Sequence, residues 1–77
     1  MNQEHFELLN GSAEDLTAWH RANSPLQLDL KGADFVGRDL RGRDFTRANL
    51  ERADFTGANL DEAVFSEASL RRAILVG

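Results

Sequence analysis

The sequence predicts a solenoid, a fold of stacked coils, for residues 26–77 of this 77-residue chain. From Leu28 to Gly77 the chain divides into ten consecutive blocks of five residues, without an insertion or a deletion. The middle residue of every block is Leu or Phe, and seven of the ten blocks open with Ala. An apolar period of five fits neither the period of about 3.6 of an α-helix nor the two-residue alternation of a strand. A fixed short repeat is instead the signature of a solenoid.

The blocks resemble the pentapeptide-repeat family, whose motif is Ala-(Asp/Asn)-Leu followed by two variable residues. The best matches lie at residues 48–50, 53–55 and 58–60, and the resemblance covers about two-thirds of the chain. It implies an all-β solenoid, a right-handed quadrilateral β-helix with four blocks per coil and about two and a half coils here. Residues 18–25, which precede the repeats, resemble the lead-in segment of many cyanobacterial pentapeptide proteins and imply a bacterial origin.

The resemblance also implies that the middle and first residues of each block point inward. Four blocks per coil would stack residues 20 apart at the spacing of a β-ladder, about 4.8 Å. The Leu and Phe residues then form columns, with Phe on opposite faces. The predicted core consists of Leu30, Phe35, Leu40, Phe45, Leu50, Phe55, Leu60, Phe65 and Leu70.

Residues 1–25 lack the five-residue period and predict a helical capping segment, which a solenoid needs over its open end. Ser12 followed by Asp15 resembles a capping box, so a helix is expected over residues 13–22, with a shorter one from about residue 3 to 9. Leu16 and Trp19 fall on one face of the longer helix. Trp19 is expected to lie as a lid over Leu28, Leu30 and the first Phe of the repeats, and a ligand-stacking role is the alternative.

Charged residues at outward positions are expected to pair along the stack. Residues 20 apart have opposite signs in three series, namely Lys31, Glu51 and Arg71; Arg41 and Asp61; and Arg47 and Glu67. Arg38 and Arg43 stand at inward positions, where later coils have Ala. Either they emerge through the open end toward Glu14 or Asp15, or the first coil is distorted, because an unpaired buried guanidinium is costly. A ligand-binding arginine pair is the third interpretation.

Composition favours a soluble, cytoplasmic, noncatalytic protein. The net charge is −4, which argues against a general nucleic-acid binder, and the chain has no Cys. No apolar run is long enough to span a membrane. His5 and His20 have no spacing that indicates a metal site or a catalytic triad, and Asp34 with Asp54 is interpreted as a solvated pair. We therefore expect no catalytic residue, no metal and no cofactor.

The predicted function is a protein-interaction or self-assembly module that binds a protein partner or forms a homodimer through its C-terminal coil. The candidate interface is a flat, nearly uncharged surface with an apolar end. It consists of Val36, Thr56, Ile74, Leu75 and Val76. An end at Gly77 is also consistent with truncation from a longer protein. The alternative function is inhibition or protection of a type II topoisomerase such as gyrase by DNA mimicry, because the chain resembles quinolone-resistance pentapeptide proteins.

Overall fold

In the computed structural model of the protein, which describes residues 1–76, a helical N-terminal cap precedes a stack of repeats. The cap contains helix α1 (Gln3–Glu7), a 3₁₀ turn (Leu8–Asn10) and helix α2 (Ala13–Asn23). The repeats begin with the bridge residue Asp29. Gly77, which the sequence places in the last block, lies outside the described residues.

The predicted capping box is present at the start of α2. The Ser12 side chain accepts the Asp15 N–H at 3.0 Å, and the Asp15 carboxylate accepts the Ser12 N–H at 3.2 Å. These two bonds satisfy backbone donors that a helix N-terminus leaves free. The helix runs one residue beyond the predicted end, whereas the shorter predicted helix is divided into α1 and the 3₁₀ turn.

The repeats are joined by parallel bridges of one residue each, always between residues 20 apart. Coil 1 comprises residues 28–47, coil 2 residues 48–67, and the start of a third coil residues 68–76. The N–H of Asn49, for example, donates to Leu28 O at 2.8 Å, and Asn49 O accepts the N–H of Leu30 at 2.8 Å. The six bridges are Asp29–Asn49, Asp34–Asp54, Asp39–Asn59, Asp44–Val64, Asn49–Ser69 and Asp54–Ile74.

Within residues 1–76 the expected all-β character takes the form of these bridges, and no extended strand is present. A turn recurs in the nine blocks from residue 28 to residue 72, and one residue of each side of a coil forms a bridge. The last residue of a block also donates to the next coil, as the N–H of Gly32 does to Glu51 O at 2.8 Å. The pairing register is that of four blocks per coil.

The second residue of most blocks stabilises the turn that follows it. Its side-chain Oδ1 accepts the backbone N–H two residues later, as at Asp34 with Val36 and at Asp54 with Thr56, both at 3.0 Å. This is an Asx turn, which Asp and Asn can both form. The residues that act in this way are Asp29, Asp34, Asp39, Asp44, Asn49, Asp54 and Asn59.

The predicted core is buried at its N-terminal end and partly open at the other. Its first six residues, from Leu30 to Phe55, are buried, whereas Leu60, Phe65 and Leu70 are half-buried. Leu9 and Leu16 of the cap are buried against coil 1. A coil is protected only where something stacks on it, which is why burial declines along the chain.

Candidate functional site: the edges of the repeat stack

Helix α1 satisfies the backbone of the first bridge residue in the way a preceding coil would. The N–H of Asn2 donates to Asp29 O at 3.0 Å, and the N–H of Asp29 donates to His5 Nδ1 at 2.9 Å. Inside the stack, Asn49 makes the corresponding two bonds to the backbone of coil 1. The imidazole of His5 thus replaces a carbonyl oxygen, and neither the repeat period nor the spacing of the histidines indicated this role.

Helix α2 covers a second side of coil 1. Nε2 of His20 lies 2.7 Å from Asp44 O, so the ring donates to this carbonyl. Trp19 lies between the two histidines, with ring centroids 5.1 Å from His5 and 5.3 Å from His20 in edge-on geometry. Trp19 also lines a surface cleft of about 330 Å³ together with His5.

The covering of the first Phe differs from the prediction. Trp19 is half-buried and packs against the core, but the ring stacked on Phe35 is that of Phe6, at a centroid distance of 5.6 Å. Leu16 is fully buried. Phe6 comes from α1, and only the docking of that helix on coil 1 could reveal the contact.

The two inward arginines have different surroundings. Arg38 emerges toward the cap, as one of the alternatives holds, but its Nη2 donates to Leu9 O and Asn10 Oδ1, both at 3.0 Å, and not to Glu14 or Asp15. Its guanidinium also lies over the rings of Phe6 and Phe35, at 5.7 and 5.9 Å. Nε and Nη1 of Arg43 are buried and have no hydrogen-bond partner among residues 1–76.

The predicted ion pairs along the stack do not form within ion-pair distance among the described residues. The single salt bridge there joins Arg41 to Asp39 of its own block, at 2.9 Å. Hydrogen bonds from Arg41 lower the pKa of Asp39, and the bond to Asp39 raises the pKa of Arg41. The Asx turn fixes the Asp39 carboxylate beside the arginine, which makes this local pair easier to form than a pair between coils.

One corner of the stack is basic, although the chain as a whole is acidic. Arg52 and Arg72 are in corresponding positions of coils 2 and 3, and with Glu51 and Arg71 they line a cleft of about 170 Å³. Three arginines therefore face one carboxylate at this corner. The surface charge is divided between faces and is not uniformly negative.

The predicted interface residues lie on one side and at the C-terminal end of the stack. Val36 is 51% exposed, Ile74 44%, Leu75 56% and Val76 65%. Thr56 is half-buried, and its hydroxyl donates to Asp54. Leu75 belongs to the Phe35–Phe55 column by position, but it is exposed because no coil of the described residues lies beyond it.

Asp34 is exposed, and each carboxylate of the Asp34–Asp54 pair accepts the N–H of its own turn. Hydrogen bonds from the side chain and backbone of Thr56 lower the pKa of Asp54. Among residues 1–76, no three His, Cys, Asp or Glu side chains are grouped as a metal site would require. In the same range, neither helix has the length and apolar character needed to cross a membrane.

Comparison with known proteins agrees with the repeat geometry. The sequence model of the pentapeptide repeats matches in eight copies, over residues 29–66 and 48–77. No curated protein and no solved structure matches the chain. Family membership thus rests on the repeats themselves, which extend over more than half of the sequence. The chain belongs to the pentapeptide-repeat family.

Proposed function

We propose that this protein is a noncatalytic interaction and self-assembly module, built on a right-handed quadrilateral β-helix and binding a second copy of itself or another protein. Membership of the pentapeptide-repeat family supports a noncatalytic repeat protein. The 20-residue register of the bridges supports the four-sided coil. The expected absence of a catalytic site, a metal and a cofactor is part of the same proposal.

The observation that carries the proposal is the contrast between the two ends of the stack. Coil 1 is covered by the cap, and its central residues are buried. At the other end, the apolar side chains of Ile74, Leu75 and Val76 are exposed together. Apolar groups beside an open backbone edge favour association with another chain.

The test is the solution mass of the 77-residue chain by light scattering over a wide concentration range. We expect a mass that rises with concentration, and a monomer when Ile74 and Val76 are both replaced by Lys. Leu26→Lys is the matched control, because Leu26 is equally exposed but lies in the segment before coil 1. A wild-type chain that stays monomeric at every concentration would contradict self-assembly.

A second variant separates the two parts of the candidate interface. Val36 is exposed to a similar extent as Ile74, but it lies on coil 1, at the other end of the flat surface. If Val36→Lys also abolishes association, the partner binds the side of the stack. If only the Ile74 and Val76 replacements abolish it, the partner binds the end.

DNA mimicry of the kind that protects gyrase agrees less well with the surface. A mimic of duplex DNA needs a continuous acidic face, whereas Arg52, Arg71 and Arg72 make one corner basic. The net charge of −4 agrees with DNA mimicry, because a mimic of duplex DNA is acidic. Inhibition of gyrase supercoiling by the purified chain, with loss on neutralising acidic residues, would favour this alternative.

A further inference from the structure

We propose that the backbone edge of coil 1 is an interaction surface for the C-terminal edge of a second copy, that the N-terminal cap masks it, and that His5 is the pH-sensitive contact holding the cap in place. The inference rests on the self-assembly proposed above, and it names both the second surface and the control of access to it.

The two edges offer complementary backbone groups. Within the stack, the N–H of Leu40 donates to Asn59 O, 19 residues later, at 2.9 Å. On the C-terminal edge, the N–H groups of Leu60, Phe65 and Leu70 have no backbone partner among residues 1–76. If coil 1 of a second copy is stacked on residues 58–76 with the same spacing of hydrogen bonds, the N–H of Leu60 meets the carbonyl of Asp29 in that copy.

The geometry of the two edges matches because both belong to the same four-sided repeat. In the same placement Phe65 N–H meets Asp34 O, Leu70 N–H meets Asp39 O and Leu75 N–H meets Asp44 O of the second copy. In the capped chain two of these four carbonyl groups are occupied, Asp29 O by Asn2 and Asp44 O by His20. The cap therefore blocks two sides of coil 1 with the same hydrogen bonds that a neighbouring coil would make.

His5 is the contact that depends on protonation. The N–H of Asp29 donates to Nδ1, so Nδ1 must carry a free lone pair. An imidazolium has a proton on each nitrogen and accepts no hydrogen bond. Protonation would thus leave two donors facing each other, the N–H of Asp29 and the protonated Nδ1 of His5. His20 differs, because it donates to Asp44 O and can do so in either charge state.

The groups that face His5 do not restore this bond. Trp19 of α2 meets the ring edge-on and does not titrate in this range. Glu4 lines the same cleft, and the carboxylate of Asp29 accepts the N–H of Lys31 at 3.4 Å. Both carboxylates attract an imidazolium, and neither can accept the N–H of Asp29 in place of Nδ1. Protonation therefore removes the hydrogen bond that joins the His5 ring to the backbone of coil 1.

The first test is amide hydrogen exchange of Asp29 by NMR at about pH 8 and about pH 6, a range in which imidazoles change charge. The reference amide is Asn49, whose N–H makes the corresponding bond inside the stack and has no titrating partner. Between the two conditions we expect the protection factor of Asp29 relative to Asn49 to fall about fivefold, the factor for one neutral hydrogen bond.

Two variants make this test specific. His5→Asn retains an acceptor oxygen that does not titrate, so the protection of Asp29 should no longer depend on pH. His20→Gln retains a donor for Asp44 O and leaves His5 in place, so it should behave as the wild type. Two results would overturn the role of His5 as the pH-sensitive contact. One is equal protection of Asp29 at both pH values in the wild type, and the other is a fall in Asp29 protection in His5→Asn as large as that in the wild type.

The second readout is the solution mass under the same two conditions. We expect the wild type to form larger species at about pH 6 than at about pH 8, whereas His5→Asn should have the same mass at both. A fall in Asp29 protection without any increase in mass would overturn the coil 1 edge as a docking surface. Failure of the proposed function is recognised separately: the wild type would then be monomeric at both pH values. Association that is equal at both pH values and is abolished by the Lys variants at positions 74 and 76 would overturn only the role of His5 and the cap.

Discussion

The rings of Phe35 and Phe55 stack at a centroid distance of 5.2 Å with an interplanar angle of 20°. Phe45 and Phe65 form an equivalent pair at 5.3 Å and 12°. Edge-on contacts between Phe55 and the rings of Phe45 and Phe65 join the two columns. Aromatic pairs in such geometries contribute about 0.5 to 1.5 kcal/mol beyond their buried area, so these columns hold adjacent coils together.

Replacing Phe55 by Ala is expected to lower the free energy of unfolding by about 3 to 5 kcal/mol, because the ring is buried and its removal leaves a cavity. Leu75 is the control, because it lies next in the same column but is exposed. Leu75→Ala should cost less than about 1 kcal/mol. Urea denaturation of the two variants measures both values, and equal effects would argue against the stacked core.

Arg43 is expected to reduce stability, because two of its guanidinium nitrogens are buried without partners among the described residues. Arg43→Met retains most of the apolar stem and removes the donors. It should raise the free energy of unfolding by about 1 to 3 kcal/mol, the range for an unsatisfied buried polar group.

The matched variant is Arg38→Met, which occupies the equivalent position in the preceding block. It should lower stability, because Arg38 donates to Leu9 O and Asn10. Thermal unfolding followed by circular dichroism distinguishes the two signs. A loss of stability in both variants would mean that the guanidinium of Arg43 makes a contact that stabilises the folded chain.

The corner positions of the coils require a left-handed backbone. Gly57 has a φ angle of +69°, and no heavy atom lies within 4 Å of the place where a Cβ would be added. Gly57→Ala should therefore cost about 1 to 2 kcal/mol through backbone strain alone. Arg52→Ala is the control, because Arg52 already has a φ angle of 60°. That change should have an effect below about 0.5 kcal/mol in chemical denaturation; a similar loss in both would exclude backbone strain as the cause.

Acid should destabilise the stack through its Asx turns. The pKa of Asp54 is lowered from its ordinary value of 3.8 by hydrogen bonds from the side chain and backbone of Thr56. For Asp44, burial raises the pKa, but the hydrogen bonds from Thr46 and the charges of His20 and Arg47 together outweigh it, and the net direction is also downward. A carboxyl whose pKa is lower in the folded state contributes stability above its unfolded pKa, and this is lost as the pH falls through the folded value.

The free energy of unfolding should therefore decline below about pH 5, and Asp54→Asn should decline less steeply. The amide is a suitable replacement, because Asn49 and Asn59 already accept the same turn hydrogen bond. Denaturant titrations at several pH values measure the slope. An unchanged slope in Asp54→Asn would show that this carboxylate does not contribute to the acid response.

The repeats made much of the architecture predictable from sequence. The five-residue period predicted the spacing of 20 residues between bridge partners, and the spacing of Leu and Phe predicted the columns in which Phe35 and Phe55 meet. Ser12 and Asp15 gave the start of α2. These features are local or periodic, and a period of five with four blocks per coil fixes which residues stack. The Asp and Asn residues carried a local signal that was missed, because an Asx turn accounts for their place in seven of the ten blocks.

The tertiary structure alone decided what the cap does. No pattern in residues 1–25 indicates that Phe6 lies on Phe35, that His5 accepts from Asp29, or that Arg38 reaches Leu9 while Arg43 has no partner in the described chain. These contacts join residues 24 to 29 positions apart that share no period, and they depend on how two helices pack against a coil. Sequence periodicity determined the stack, because every coil repeats the same local geometry. The docking of a unique segment on that stack depends on the shape and free backbone groups of its first coil, which exist only once the coil has folded.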